Sequence, residues 1–341
     1  MACAHFPSPR RGLVGALDKV SLSDIICLGN KKKGEAQMDI GDWSATPILN
    51  ELYKEIREKG LETNLAELEA FGFTTIPGAL SPDEVSAMRA RILELSEERL
   101  GMDLDPDTLE QRTTPEGVPS DVALIPFLLY HDPIFKKAVV NEKSLSLITY
   151  LLGRQCLLSS LTCHLKGPGG PGLPIHSDNG LGIPESYGMP SMVANCNFAL
   201  TDYTEEGGCF AVVPGSHRLA RQPKGGEQII ADEQRYKHVI PVEVPAGTAI
   251  IWHGNTWHGS YPRKTPGLRI NLSTYYCRES LQTQENYADT VPEGFLDPIK
   301  EERLARLLGS DLVYGWQDEG PIKLYERMAK PMPGGLPSWQ A

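Results

Sequence analysis

Three residues in two short stretches give this sequence its chemical content. His176 and Asp178 lie in Ile175-His176-Ser177-Asp178, and His258 lies in Trp257-His258-Gly259-Ser260. Two imidazoles and one carboxylate form a donor set that holds one face of a ferrous ion and leaves the other positions open. Arg269, eleven residues beyond the second histidine, adds a planar guanidinium fork suited to a carboxylate. Alone, a His-x-Asp is a short pattern in a chain with eight histidines, so its weight depends on the elements that carry it.

Those elements read as strands, in which residues i and i+2 share a face. An extended 172–178 puts His176 and Asp178 on one side, and the same rule pairs His258 with Ser260. Along 268–275 one face carries Arg269, Asn271, Ser273 and Tyr275, and the other Leu268, Ile270, Leu272 and Thr274. In 193–200, Asn195 and Asn197 oppose Ala194, Cys196, Phe198 and Leu200. Faces built from Asn, Arg, Ser and Tyr suit the wall of a wet cavity better than a solvent face, which more usually carries Lys, Glu or Thr. His253 and Arg263 form a rival pairing. Arg263, however, sits in the Pro/Gly turn of 261–267, whereas Arg269 sits inside the alternating strand. His253 is therefore expected to be a structural or supporting neighbour.

With these residues in place the chain resembles the phytanoyl-CoA dioxygenase family of Fe(II)- and 2-oxoglutarate-dependent oxygenases. The matching stretches run in the family's order over roughly residues 65–280: 72–85, Lys166-Gly167-Pro168-Gly169-Gly170 leading to His176 and Asp178, Thr204–Cys209, Val213–Arg218, and His258-Gly259-Ser260 with Arg269. The resemblance implies His176, Asp178 and His258 as iron ligands. It implies Arg269 and Ser260 as partners of the distal carboxylate of 2-oxoglutarate, with Asn197 as a further co-substrate contact. Halogenases that resemble the family lack the carboxylate ligand, so Asp178 points to oxygenation. The expected reaction consumes O₂ and 2-oxoglutarate, releases succinate and CO₂, and hydroxylates an unactivated C–H of a small organic metabolite. Desaturation, epimerisation or ring formation are alternative outcomes.

The expected fold is mainly β with flanking α-helices: a double-stranded β-helix, or jelly-roll barrel, buttressed by N-terminal helices. Residues 1–40 read as a disordered extension and 41–341 as one oxygenase domain. Within it a helical front occupies about 44–153, the barrel core about 155–278, and a tail about 298–341 with helical candidates at 298–308 and 322–328. In the front, Ser81 is a helix cap, Pro82 opens the first turn, Glu84 completes a capping box, and Val85, Met88, Ile92 and Leu95 form an apolar stripe. Two loops, about 101–119 and 179–191, are expected to cover the mouth.

Among 341 residues, 40% are hydrophobic, enough for a substantial core. A formal charge of −11 disfavours nucleic-acid and anionic-membrane partners, and no apolar run is long enough for a transmembrane span. Seven cysteines without a C-x-x-C pair suggest neither zinc nor a disulfide framework and fit a reducing, cytoplasmic compartment. Asp18 and Asp24 fit an organelle-import segment poorly, although an N-terminal targeting segment stays open. The expected partner is a small-molecule substrate, with a homodimer left open. Arg218, Arg221 and Lys224 are the one basic cluster placed to meet coenzyme A phosphates, against the alternative of a solvated surface. Tyr187, Trp252 and Trp257 are candidates to line the pocket, against the alternative of core packing.

Two other functions use the same barrel: a cupin-like metal-binding isomerase and a non-catalytic binding module. The first has no need of a buried cation at Arg269. The second would be expected to have lost a ligand, and the set is complete.

Overall fold

The structure, a computed structural model, describes residues 47–113, 122–123, 125–180, 185–188, 190–231, 233–297, 299–310, 312 and 320–323. The expected extension at 1–40 lies outside them, as do most of the helical candidate at 322–328 and parts of both loops expected over the mouth. Among the described residues no helix is long and apolar enough to cross a membrane.

The helices come first. α1 spans Pro47–Glu58, α2 Glu62–Phe71, α3 Pro82–Leu100 and α4 Glu142–Leu152, with two single-turn helices at Leu128–His131 and Lys136–Val139. A short α5, Glu302–Leu307, follows the strands. α3 begins as the sequence implies. Ser81 accepts from the Glu84 amide, the Glu84 carboxylate accepts from the Ser81 amide at 2.9 Å, and Pro82 occupies the first turn. Its stripe of Val85, Met88, Ile92 and Leu95 is buried, and truncating a fully buried member such as Ile92 to Ala is expected to cost about 2–5 kcal/mol.

Ten strands follow the chain order β1 Phe73–Ile76, β2 Val122–Ala123, β3 Leu157–Lys166, β4 Leu173–His176, β5 Val193–Ala199, β6 Phe210–Val212, β7 Ile240–Val242, β8 Ala249–His253, β9 His258–Ser260 and β10 Arg269–Cys277. They form two antiparallel sheets, one ordered β1-β8-β5-β10-β3-β2 and the other β4-β9-β6-β7. The expected jelly-roll is therefore present as a pair of sheets whose backbone ladders do not join into a closed barrel.

Side-chain alternation divides the large sheet into two environments. Its outer face supplies Leu161, Cys163, Leu165, Cys196, Phe198, Ile270 and Leu272 to the main core, shared with α1 to α4. Its inner face turns Ile250 and Trp252 toward the small sheet, whose Ile175, Phe210, Val212 and Val242 complete a second core. On β3, β5 and β10 that inner face is mostly polar. The five described cysteines are buried free thiols.

Candidate active site

A cavity of ≈ 660 Å³ opens between the sheets, within the usual size of a small-molecule site. Its floor is the polar face read from the sequence: Arg269, Asn271, Ser273 and Tyr275 of β10 together with Asn195 and Asn197 of β5. The strand register makes this a ladder, with Tyr275 opposite Asn195 and Ser273 opposite Asn197. The cavity reading of these faces holds, and the solvent-face alternative does not.

The three expected metal-binding residues converge at one side. His176 and His258 are directly opposed on the adjacent strands β4 and β9, with ring centroids 4.3 Å apart. Asp178 Oδ1 lies 3.7 Å from His176 Nε2, and its Oδ2 lies 3.6 Å from His258 Nε2. One ligand atom from each falls within 4.8 Å of the others. The two histidines thus come from neighbouring strands of one sheet rather than from strands facing each other across the cavity.

The local backbone differs from expectation in one respect. A strand across 172–178 does not form; β4 stops at His176 and Asp178 opens a 3₁₀ turn. The cause is Gly254, whose carbonyl accepts from the amides of Asp178 and Asn179 and from Ser177 Oγ, drawing the chain off the ladder. Gln222 secures the same point, its amide oxygen accepting from Ser177 N at 2.9 Å and its Nε2 donating to Ser177 O at 2.7 Å.

Both histidines are oriented the same way. His176 Nδ1 lies 2.9 Å from the Pro174 carbonyl, and His258 Nδ1 lies 2.9 Å from that of Thr256. A carbonyl only accepts, so Nδ1 carries a proton in each ring, which leaves Nε2 as the atom available to a metal. Burial holds His258 at about 4, against the opposing pull of Asp178, so its ring is neutral at pH 7. Asp178 Oδ2 accepts from Asn195 Nδ2 at 2.8 Å and from Trp252 Nε1 at 3.0 Å, which fixes the carboxylate plane. Neutral nitrogens with an oriented carboxylate suit a divalent ion of the iron type.

The far end of the cavity is cationic. Arg269 is buried, its Nη1 donating to Gly208 O at 3.2 Å and its guanidinium lying 5.6 Å from the Tyr203 ring centroid. Its Nε has no hydrogen-bond partner among the described residues, and neither has Asn197 Oδ1. A buried guanidinium with an unused donor fits an anionic ligand such as a carboxylate. Gly208 has φ 80, and a Cβ there would sit 3.0 Å from the Lys166 side chain, so this turn has no room for a larger residue.

Sequence reading missed one wall. In β3 the residues Ser160, Thr162 and His164 line the cavity, and Lys166, next on the same face, is buried and donates from Nζ to Ser260 Oγ at 2.8 Å and to Tyr261 O at 2.9 Å. The signal was available, because 160–166 alternates like the two strands that were read. Burial, followed by the Arg269 and Lys166 charges, lowers His164 to about 3. Gln222, Gln284 and Phe210 also line the cavity, and no local pattern marks them.

Other candidates separate. Trp252 lines the cavity, whereas Trp257 is wholly buried and Tyr187 is buried outside the lining. His253 is buried outside the cavity lining, with its ring 5.6 Å from that of His217 and its Nδ1 accepting from Asn255 N at 3.0 Å. Arg263 braces its own turn, donating to Gly267 O and Gly207 O at 2.9 Å each. The basic cluster is internally matched: Arg221 pairs with Glu227 at 2.7 Å, Lys224 with Glu185 at 2.8 Å, and Arg218 donates to Glu69 O at 2.5 Å. Arg221 and Lys224 are thus charge-matched by carboxylates, and Arg218 by a backbone carbonyl only.

Residues 68–271, more than half of the chain, match the sequence profile described as phytanoyl-CoA dioxygenase (PhyH). The chain belongs to the phytanoyl-CoA dioxygenase family. Its chemistry is accordingly that of an Fe(II)- and 2-oxoglutarate-dependent dioxygenase, with O₂ as the oxidant. Among curated members it is similar to dioxygenase af480 of Aspergillus fumigatus, 26% identical over 255 residues that cover 72% of this chain and 77% of the relative. It is also 26% identical to the ectoine dioxygenase of Stutzerimonas stutzeri, covering 66% of this chain and 79% of that one. In fold it resembles HygX from Streptomyces hygroscopicus, solved with nickel and 2-oxoglutarate bound, at TM-score 0.52 and 18% identity over 65% of this chain and 88% of HygX.

Proposed function

We propose that this phytanoyl-CoA dioxygenase family member hydroxylates an unactivated C–H of a small organic metabolite, with His176, Asp178 and His258 holding Fe(II). The observation that carries the reading is the convergence of their ligand atoms within 4.8 Å, with both Nδ1 atoms tied to backbone carbonyls. On this reading residues 41–341 act as one oxygenase domain.

Iron with bound 2-oxoglutarate supplies the oxidising power, by oxidative decarboxylation of the co-substrate to succinate and CO₂. The protein's part is positioning. Arg269 and Ser260 hold the distal carboxylate. Ser260 lies two residues beyond His258 on β9, about 7 Å along the strand, within reach of a five-carbon dicarboxylate anchored beside His258. Because Ser260 Oγ accepts from Lys166, its own hydroxyl proton is left to donate into the cavity. Asn197, at the middle of the floor, adds a polar contact to the co-substrate. Asn195 and Trp252 hold the Asp178 carboxylate in place, and Phe210 and Trp252 keep that side of the cavity apolar.

Anaerobic titration of the protein with Fe(II) and 2-oxoglutarate tests the assignment. The wild type is expected to develop the weak visible charge-transfer band of the chelate, and Arg269→Ala to lose it at the same concentrations. A wild type without the band returns the metal-binding, redox-neutral reading to first place. Hydroxylation itself is tested by incorporation of one ¹⁸O atom from ¹⁸O₂ into the product; an unlabelled product two hydrogens lighter identifies desaturation or ring formation.

A further inference from the structure

The wall across from the metal-binding residues has a chemistry of its own. Asn195, which holds Asp178, lies opposite Tyr275, and Tyr275 lies opposite Ser160 on β3. One rung therefore runs from the Asp178 carboxylate across three strands, at the other end of the β10 polar face from Arg269. A substrate held along this rung would sit beside the metal-binding residues and away from Arg269. Ser160 Oγ donates to Gln284 Oε1 at 2.6 Å, and the Gln284 backbone N–H donates to Ser159 Oγ at 3.0 Å, which anchors the chain beneath that side chain. These bonds fix the side chain and leave its Nε2 hydrogens for a ligand. The Tyr275 hydroxyl lines the same cavity and has no hydrogen-bond partner among the described residues.

Charge narrows what this wall accepts. Among the described lining residues the Asp, Glu, Lys and Arg side chains are Asp178 and Arg269 alone, and the proposed function commits the first to the metal and the second to the co-substrate. An anionic substrate would meet no cationic side chain on this wall, where Tyr275 is half-buried and Gln284 is exposed. The neighbouring loop offers no substitute, since Arg221 and Lys224 are each matched to a carboxylate.

We infer that the substrate is an uncharged molecule bearing carbonyl, hydroxyl or ether oxygens, held by hydrogen bonds donated from Tyr275 Oη and Gln284 Nε2, and not a coenzyme A thioester or a carboxylate. This rests on the proposed function. It is tested on the full chain loaded anaerobically with Fe(II) and 2-oxoglutarate, following the charge-transfer band and ligand-observed NMR. The probes are primary amides paired with the carboxylates of the same carbon skeleton, and coenzyme A itself. Amides are expected to bind and to perturb the band, their matched carboxylates at least about tenfold more weakly, with amide binding reduced about tenfold in Tyr275→Phe and in Gln284→Leu. Gln284→Glu, which keeps the shape and removes the donor, guards against a folding artefact and should lose amide binding with an intact band. Tighter binding of the carboxylates or of coenzyme A, amide binding unchanged in these variants, or no amide binding at millimolar concentration overturns the inference. Absence of the band in wild type instead overturns the proposed function itself.

Discussion

Lys166 Nζ donates to Ser260 Oγ at 2.8 Å, joining the last residue of β3 in the large sheet to the last residue of β9 in the small one. The bond spans 94 residues of sequence and is buried, so it both ties the sheets together and orients a hydroxyl toward the Arg269 end of the cavity. Lys166→Met keeps most of the aliphatic bulk and removes the donor. The expected result is about tenfold weaker 2-oxoglutarate binding with Fe(II) affinity little changed, and a stability loss of about 1–3 kcal/mol from the partners left unsatisfied. Equal loss of metal and co-substrate binding would show that Lys166 acts on the whole fold instead.

The supports of Asp178 should matter nearly as much as Asp178 itself. His176→Ala and Asp178→Ala are expected to abolish iron retention and turnover together. Trp252→Phe removes the indole donor to Oδ2, together with part of the ring packed against Phe210 and His258, and is expected to lower metal affinity about 10- to 100-fold. Metal content after gel filtration at graded Fe(II) separates these grades of loss.

Gly259 faces the backbone of the partner strand. A Cβ there would be built into the Leu173 carbonyl and within 3.2 Å of the Pro174 carbonyl, in the ladder that sets His176 opposite His258. Gly259→Ala is expected to prise β4 from β9, lowering both metal affinity and the thermal midpoint. A variant that melts like wild type and retains iron would refute this account of the β4–β9 pairing.

Stability of the metal-free protein should fall on mild acidification. Burial holds His258 at about 4 in the folded state, against an ordinary value of 6.5. Between these pH values the unfolded chain binds a proton that the folded chain refuses, so folding loses free energy as pH drops from 6.5 toward 4. The loss approaches the order of 3 kcal/mol for this buried group, and above pH 6.5 the full stability is present. His164, lowered to about 3 chiefly by burial, acts in the same direction over a window reaching further into acid. Denaturant midpoints of the metal-free protein at pH 7 and pH 5 should show the difference, and His164→Gln should reduce it by about half.

Much of the site was legible because it is local. The two-residue spacing of His258 and Ser260, and the alternation of Arg269, Asn271, Ser273 and Tyr275, follow from strand geometry alone. Apolar residues on the opposite faces told which side would be buried against the helices, and the capping box at Ser81 fixed the start of α3. By itself, then, the sequence determined the candidate ligands, the distal arginine and the polar character of the floor. Tertiary structure decided the rest, because those features depend on groups distant along the chain. Lys166 reaches Ser260 only once the sheets stack, and Arg221 and Lys224 lose their apparent availability only when Glu227 and Glu185 fold against them. The carbonyl of Gly254, some seventy-five residues along, ends β4 before Asp178 and turns that carboxylate back between the two imidazoles. Periodicity assigns a side chain to a face; only packing decides what that face meets.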